Sequence, residues 1–246
     1  MAPRTTPGWL LDEVAHAGRE NLDADHVARY DSKEDADALA EVALMQRLGM
    51  NSASTVLDIG AGTGQFSLAA ARVCGRVIAV DVSPVMLASL RVQVARRALT
   101  NVDCVHGGFL SYEHDGELVD FAYSRYALHH LPDFWKALAL ARLNRVMRPN
   151  AVLRLWDVVY GFEPEQAAAH IEAWCATGGT TVGSDWTRDE LEEHVRDEHS
   201  TFTWLLEPMI SRAGFAIEDA SYSDDLLGAR YVLRKTPGTV AVPAVV

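Results

Sequence analysis

Val56-Leu57-Asp58-Ile59-Gly60-Ala61-Gly62-Thr63-Gly64 joins a short apolar run to three glycines at alternate positions. The run from Ser54 to Asp58 has the composition of a buried strand, and Gln65 to Cys74 continues as a helical stretch. Alternate glycines let the backbone turn sharply and approach a ligand without Cβ clashes. The helix that follows points unpaired N–H groups at whatever sits there. A dinucleotide fingerprint reads GxGxxG and seats a pyrophosphate. Here the spacing is GxGxG, and Asp58 closes the strand. An acid there repels a pyrophosphate and welcomes an ammonium or sulfonium group.

Downstream, strand and helix alternate. Arg76 to Asp81 reads as a second strand. Pro84 to Leu99 reads as a helix with Ser83 as its N-cap and Pro84 at its first position. Strands follow at Val102 to Val105 and Leu118 to Ser124. A helix spans Pro132 to Met147 and is ended by the turn Arg148-Pro149-Asn150. A fifth strand runs from Ala151 to Asp157. The C-terminal part adds a helix at Phe202 to Ala213 and strands at Phe215 to Tyr222 and Ala229 to Lys235, an antiparallel hairpin. This predicts an α/β fold: a doubly wound, seven-stranded, mostly parallel Rossmann-like sheet with a helical cap. Near-continuous apolar strands fit burial on both faces. The first 50 residues read as helices. Ala36, Leu39, Ala40, Ala43, Leu44, Arg47 and Leu48 form a mostly apolar stripe, and Gly49 is a natural C-cap.

The chain has 246 residues, 49% of them hydrophobic, and a formal charge of −12. That is enough apolar mass for one full core. The acidity argues against a nucleic-acid partner, which needs a basic face, and against an anionic membrane surface. No apolar run reaches the roughly 18 residues that span a bilayer. Met1 to Gly18 does not read as a signal peptide. Cys74, Cys104 and Cys175 lack a CxxC spacing, so they predict free thiols filling the core of a cytoplasmic protein. Seven acids and two arginines crowd Asp185 to Ser200. This predicts an acidic rim at the substrate entrance, favouring neutral or cationic acceptors.

The glycine loop, followed by Val80-Asp81-Val82-Ser83-Pro84-Val85-Met86, closely resembles the class I S-adenosylmethionine-dependent methyltransferases. Asp120-Phe121-Ala122-Tyr123-Ser124, then Leu128-His129-His130-Leu131-Pro132-Asp133, is similar to the fourth strand and following turn of the small-molecule branch, the type 11/25-like domains. Leu143 to Leu153 resembles the next helix, turn and strand, with Asn150 where the family has glycine. The resemblance divides the chain into N-terminal helices covering the cofactor (1–50) and a cofactor-binding core (51–160). A helical acidic cap insertion (161–200), a last helix with the strand hairpin (201–235) and a flexible tail (236–246) follow. It implies S-adenosylmethionine as cofactor, S-adenosylhomocysteine as product and a small-molecule substrate, and it admits a homodimer.

The resemblance further implies that Asp58 and the backbone of Gly60, Ala61, Gly62 and Gly64 hold the methionine end. Asp81 takes the ribose hydroxyls, and Val82 and Met86 flank the adenine. The family's usual Asp after the third strand is replaced by Gly107-Gly108-Phe109, leaving the adenine to backbone groups near Gly108 and to stacking on Phe109. Ser124 lies on the same rim, and Tyr30 sits where relatives cover the cofactor.

Methyl transfer needs an aligned nucleophile and exclusion of water, and a general base assists a hydroxyl or ammonium acceptor. Ligands bind beyond the carboxyl ends of the strands. His129, His130 and Tyr126 are therefore the catalytic candidates, with His129 favoured as the contact and His130 as a backbone-bonded histidine. The alternative is that neither histidine is a base. Arg125, Asp157 and Tyr160 share this rim. His194 and His199 are five apart, about 140° around a helix, so a solvated acidic face is expected there and no metal. Trp156, Trp174, Trp186 and Trp204 either line an apolar pocket or pack the core. The rival functions are a nicotinamide oxidoreductase, a non-methylating enzyme such as a cyclase, and a silent binding protein.

Overall fold

The computed structural model describes residues 7–18, 20–23, 27, 37–179 and 186–237. Tyr30, Asp185 and the tail beyond residue 237 lie outside the described residues. The elements in chain order are α1 (Ala38–Arg47), β1 (Thr55–Ile59), α2 (Gln65–Ala70), β2 (Arg76–Asp81), α3 (Pro84–Arg96), β3 (Val102–His106) and β4 (Val119–Arg125). They continue with α4 (Asp133–Val146), β5 (Met147–Tyr160), α5 (Ala167–Cys175), α6 (Arg188–Asp197), β6 (Thr201–Phe202), α7 (Thr203–Arg212), β7 (Phe215–Tyr222) and β8 (Gly228–Lys235).

Seven strands form a continuous sheet in the order β3-β2-β1-β4-β5-β8-β7. From β3 to β5 neighbours run parallel, and β8 runs antiparallel to both β5 and β7. The two-residue β6 adds a parallel pairing to β5, which the sequence did not signal. The strand period of two separates the core into two layers. Val56, Val77, Ala79, Phe121 and Tyr123 pack on one face with α1, α2 and α3. Leu57, Ile78, Val80, Ala122 and Leu153 pack on the other with α4 and α7. Each fully buried leucine among these is worth about 1.5–3 kcal/mol. The sheet is thus doubly wound, as the alternating pattern predicts.

Three local expectations are corrected. Arg148-Pro149-Asn150 does not separate helix from strand as a free turn: β5 begins at Met147. The pairing jumps from Val119↔Met147 to Phe121↔Val152, so these residues bulge within the strand. Asn150 has φ +65°, a left-handed conformation that Asn tolerates better than most. Where the reading expects helix, residues 7–18 are turns and bends; among the other described residues of this segment, a 3-10 turn at Glu20–Leu22, Val27 and α1 are helical. Finally, α1 buries a face offset from the apolar stripe. Leu39 is 74% exposed, whereas Glu41, Val42 and Met45 are buried. The offset has a cause. Glu41 forms a two-pronged pair with Arg154 of β5, at 2.7 and 2.8 Å, both residues buried.

Cys74, Cys104 and Cys175 are free thiols, and burial pushes Cys74 up to about 11, which keeps it unreactive. No helix among the described residues is long and apolar enough to cross a membrane.

Candidate active site

β2 and β4 flank β1 on opposite sides, so the chain reverses direction of travel across the sheet at β1. Such a switch point opens a crevice at the strands' carboxyl ends. A cavity lies there. Its wall includes Gly60 and Gly62 from the glycine loop, Asp81, Val82 and Met86 after β2, Gly108 and Phe109 after β3, and Tyr126 and His130 after β4.

The loop is held by its own backbone. Gly60 and Ala61 donate to the Val80 carbonyl at 2.9 and 3.0 Å, and Gly64 N donates to the Ala61 carbonyl at 2.9 Å. Gly60, Gly62 and Gly64 have φ of +74°, +55° and +89°, where side chains are strained. At Gly64 a Cβ would also meet Leu90 Cδ1 at 2.1 Å. Asp81 ties the loop to α3. Its Oδ2 accepts from Gly62 N and its Oδ1 from Ser83 N, both at 2.7 Å. Each oxygen keeps a further acceptor site. Burial raises Asp81 above the usual carboxylate range, against the opposing pull of the Ser83 and Gly62 bonds. Ser83 caps α3 as predicted, accepting from Met86 N at 3.1 Å.

Asp58, Ala61, Gly64, Ser124 and His129 do not line this cavity. Asp58 lies behind the loop, its Oδ2 accepting from Ser67 Oγ at 2.6 Å. Burial drives it up to about 7; the Ser67 bond opposes this and the Asp81 charge adds to it. Ser124 is fully buried, its Oγ without a hydrogen-bond partner.

The histidines stand opposite to their expected placement. His130 lines the cavity. His129 is buried behind it, with Nδ1 2.5 Å from Asp157 Oδ1. The other Asp157 oxygen accepts from Leu128 N and His129 N at 2.8 and 3.2 Å. Burial alone would lower His129. The charges of Asp157 and Glu198 and their contacts outweigh it and lift the imidazole to about 10. His130 is pushed down to about 3 by burial and by the neighbouring His129. Burial would raise Asp157 and Glu198, but His129 keeps both low.

Glu13 is the wall residue that sequence reasoning missed. Its carboxylate accepts from Leu110 N at 3.0 Å and from Ser111 N and Oγ at 2.9 and 2.7 Å. A Cβ on Gly108 would fall 2.4 Å from its Oε1. Nothing local in the sequence marks a contact across 97 positions. Ala17 and Asn21 of the same segment also line the cavity.

A second cavity is walled by Tyr126, Trp156, Trp174, Tyr222, Asp225 and Arg230, among others. Tyr126 lines both cavities and has φ +49°. The Arg230 guanidinium lies 3.7 Å over the Trp156 ring. Of the four tryptophans singled out, Trp156 and Trp174 line this wall, while Trp204 is half exposed and stacks on Phe202. Residues 188–200 line neither cavity. Much of their charge is paired: Arg188 bridges Glu172 and Glu192 at 2.9 and 2.7 Å. The acids of residues 188–200 therefore do not form the wall of either opening.

Comparison with known proteins agrees with this arrangement. Residues 56–150 match the family model described as "Methyltransferase domain". A demethylmenaquinone methyltransferase of Shouchella clausii is 31% identical over 109 residues, which is 43% of this chain and 46% of that protein. The match thus spans about half the length of that curated relative. Among solved structures, magnesium protoporphyrin IX methyltransferase from Synechocystis PCC 6803, with bound S-adenosylmethionine, superposes with a TM-score of 0.63 at 13% identity. It covers 94% of this chain and 100% of that one. A 4+2 cyclase, SpnF, superposes at 0.60 and 18% identity, covering 80% of each chain. These likenesses establish the fold, and the sequence match establishes the family of the central segment. Residues 56–150 thus carry a methyltransferase domain, set in a fold shared with S-adenosylmethionine-dependent methyltransferases of known structure.

Proposed function

We propose that this protein transfers a methyl group from S-adenosylmethionine to a small-molecule acceptor. The observation that carries this is Asp81: a buried carboxylate bonded to the glycine loop on one side and to the α3 cap on the other, with acceptor capacity left over. Its donors are backbone N–H groups, so the carboxylate is pre-aligned for two ribose hydroxyls. Val82, Met86 and Phe109 offer an apolar slot for an adenine. Glu13, seated beside Gly108, supplies the acid that the segment after β3 lacks. When bound, S-adenosylmethionine supplies a methyl carbon already activated by its sulfonium.

The chain's own contribution is alignment and exclusion of water. Glu13, Ala17 and Asn21 cover the cofactor cavity from the N-terminal side. Tyr126, shared by the two cavities, marks where acceptor and cofactor meet. Tryptophan and tyrosine walls with Arg230 and Asp225 suit a small planar acceptor bearing polar groups. Asp58 supports the loop from behind, and His130 is the histidine that faces the ligand. The protein acts in the cytoplasm, in keeping with its free thiols.

The test is a mass-spectrometric screen of cell extract incubated with enzyme and S-adenosylmethionine. Methyl transfer predicts products heavier by one methylene, appearing together with S-adenosylhomocysteine. A rearranged product of unchanged mass with intact cofactor would favour a cyclase. Saturable binding of a nicotinamide cofactor in its place would overturn the proposal.

A further inference from the structure

Behind the cavity wall, His129 Nε2 and His194 Nδ1 both approach one atom, Glu198 Oε2, at 3.0 and 2.5 Å. We propose that His129, His194 and Glu198 form a binding site for a first-row divalent metal ion, with zinc favoured by the donor set. This does not rest on the methyl-transfer reading.

Four observations carry it. First, the donor atoms of the three residues lie within 4.8 Å of one another, and two imidazoles with one carboxylate make a zinc-type ligand set that leaves a fourth position for water. Second, Glu198 Oε2 is buried, yet neither imidazole contact has the alignment of a hydrogen bond. Tetrahedral donors on bonds of about 2.0–2.1 Å stand roughly 3.3 Å apart, so Glu198 Oε2 has to draw back from both nitrogens, and the nitrogens, within 4.8 Å of each other, settle to that spacing around the ion.

Third, the remaining nitrogen of each imidazole is already engaged. His129 Nδ1 meets Asp157 Oδ1, and His194 Nε2 lies 3.0 Å from Ser200 Oγ. Metal-bound histidines are oriented in this way by a second partner, most often a carboxylate. An ion that displaces the His129 proton would leave the charges of the two carboxylates balanced by a dication. Fourth, the backbone is fixed around the site. His199 N donates to the His129 carbonyl at 2.9 Å, and Lys136 Nζ bonds both Asp133 and the His199 carbonyl. The ligands are therefore held by bonded chain on both sides.

The site joins α6 to the turn after β4. Its neighbours reach both cavities: His130 lines the first, and Trp174, 5.1 Å from the His194 ring, lines the second. A bound ion would pin the cap beside them. The rival occupant is a proton on His129, shared between Asp157 and Glu198.

The experiment uses untagged full-length protein, stripped with EDTA and titrated with zinc chloride by calorimetry. One ion per chain is expected. Affinity should fall at least about 100-fold in His194→Ala and Glu198→Gln, and about 10- to 100-fold in Asp157→Asn. His114→Ala, at a surface histidine elsewhere, should bind as the wild type does. Two readouts on the wild type guard against misfolded variants: a cobalt(II) absorption spectrum of tetrahedral intensity, and a zinc-dependent rise in Tm. Absence of saturable zinc binding, unchanged binding in His194→Ala, or a featureless cobalt spectrum would each overturn the proposal.

Discussion

Glu13 Oε1 occupies the space that a Cβ on Gly108 would need, 2.4 Å from it. A residue from the N-terminal segment thereby completes the cavity wall beside β3, and glycine at 108 is what admits it. Gly108→Ala should expel the Glu13 carboxylate, break its bonds to Leu110 and Ser111 and weaken cofactor binding about 10-fold or more. Calorimetry with S-adenosylhomocysteine, with circular dichroism as a fold check, measures it. Unchanged affinity would mean that Glu13 plays no part in the cofactor site.

Asp58 has an ordinary pKa of 3.8 when unfolded and one of about 7 in the folded chain. Between these values the folded state binds more protons. Its contribution to stability is complete below about 4 and is lost as pH rises through about 7. Asp58→Asn keeps an acceptor for Ser67 and removes the titration. Its unfolding free energy relative to wild type should climb by on the order of 2–4 kcal/mol between those limits. Urea denaturation across the range reads the difference, and parallel pH profiles would contradict it.

Glu41 and Arg154 are a buried pair 113 positions apart. Removing one partner strands the other charge. Glu41→Ala should cost about 3–5 kcal/mol, while replacing both residues with apolar side chains should cost much less. Denaturant midpoints of the single and double variants decide between these outcomes.

Ser83 has two tasks. Its Oγ accepts from Met86 N and donates to the Asn21 carbonyl at 2.6 Å, tying the N-terminal segment to α3. Ser83→Ala should cost about 1 kcal/mol of stability and speed proteolysis within residues 7–23. Equal cleavage rates would show that the tie does not hold the segment.

The doubly wound alternation, the α3 cap and the cavity floor were legible because each rests on local chemistry: strand and helix periods, Ser83-Pro84, and glycines with left-handed φ. What escaped reading is long-range. The buried face of α1 follows an ion pair to β5, not the helix's own apolar stripe. Glu13 reaches a turn nearly a hundred residues away. His194 was weighed against His199, five residues on, while its partners are Glu198, at helical spacing of four, and His129 in another element. Of that cluster, only the His194–Glu198 spacing could have been seen in the sequence.

The central claim is that Asp81 anchors S-adenosylmethionine at the glycine loop. Isothermal titration of the wild type and Asp81→Ala with S-adenosylmethionine and S-adenosylhomocysteine tests it most directly. The account predicts one site per chain, weakened roughly 100- to 1,000-fold in the variant, as expected from losing two charge-assisted hydrogen bonds. Absence of binding by the wild type, or equal binding by Asp81→Ala, would contradict it.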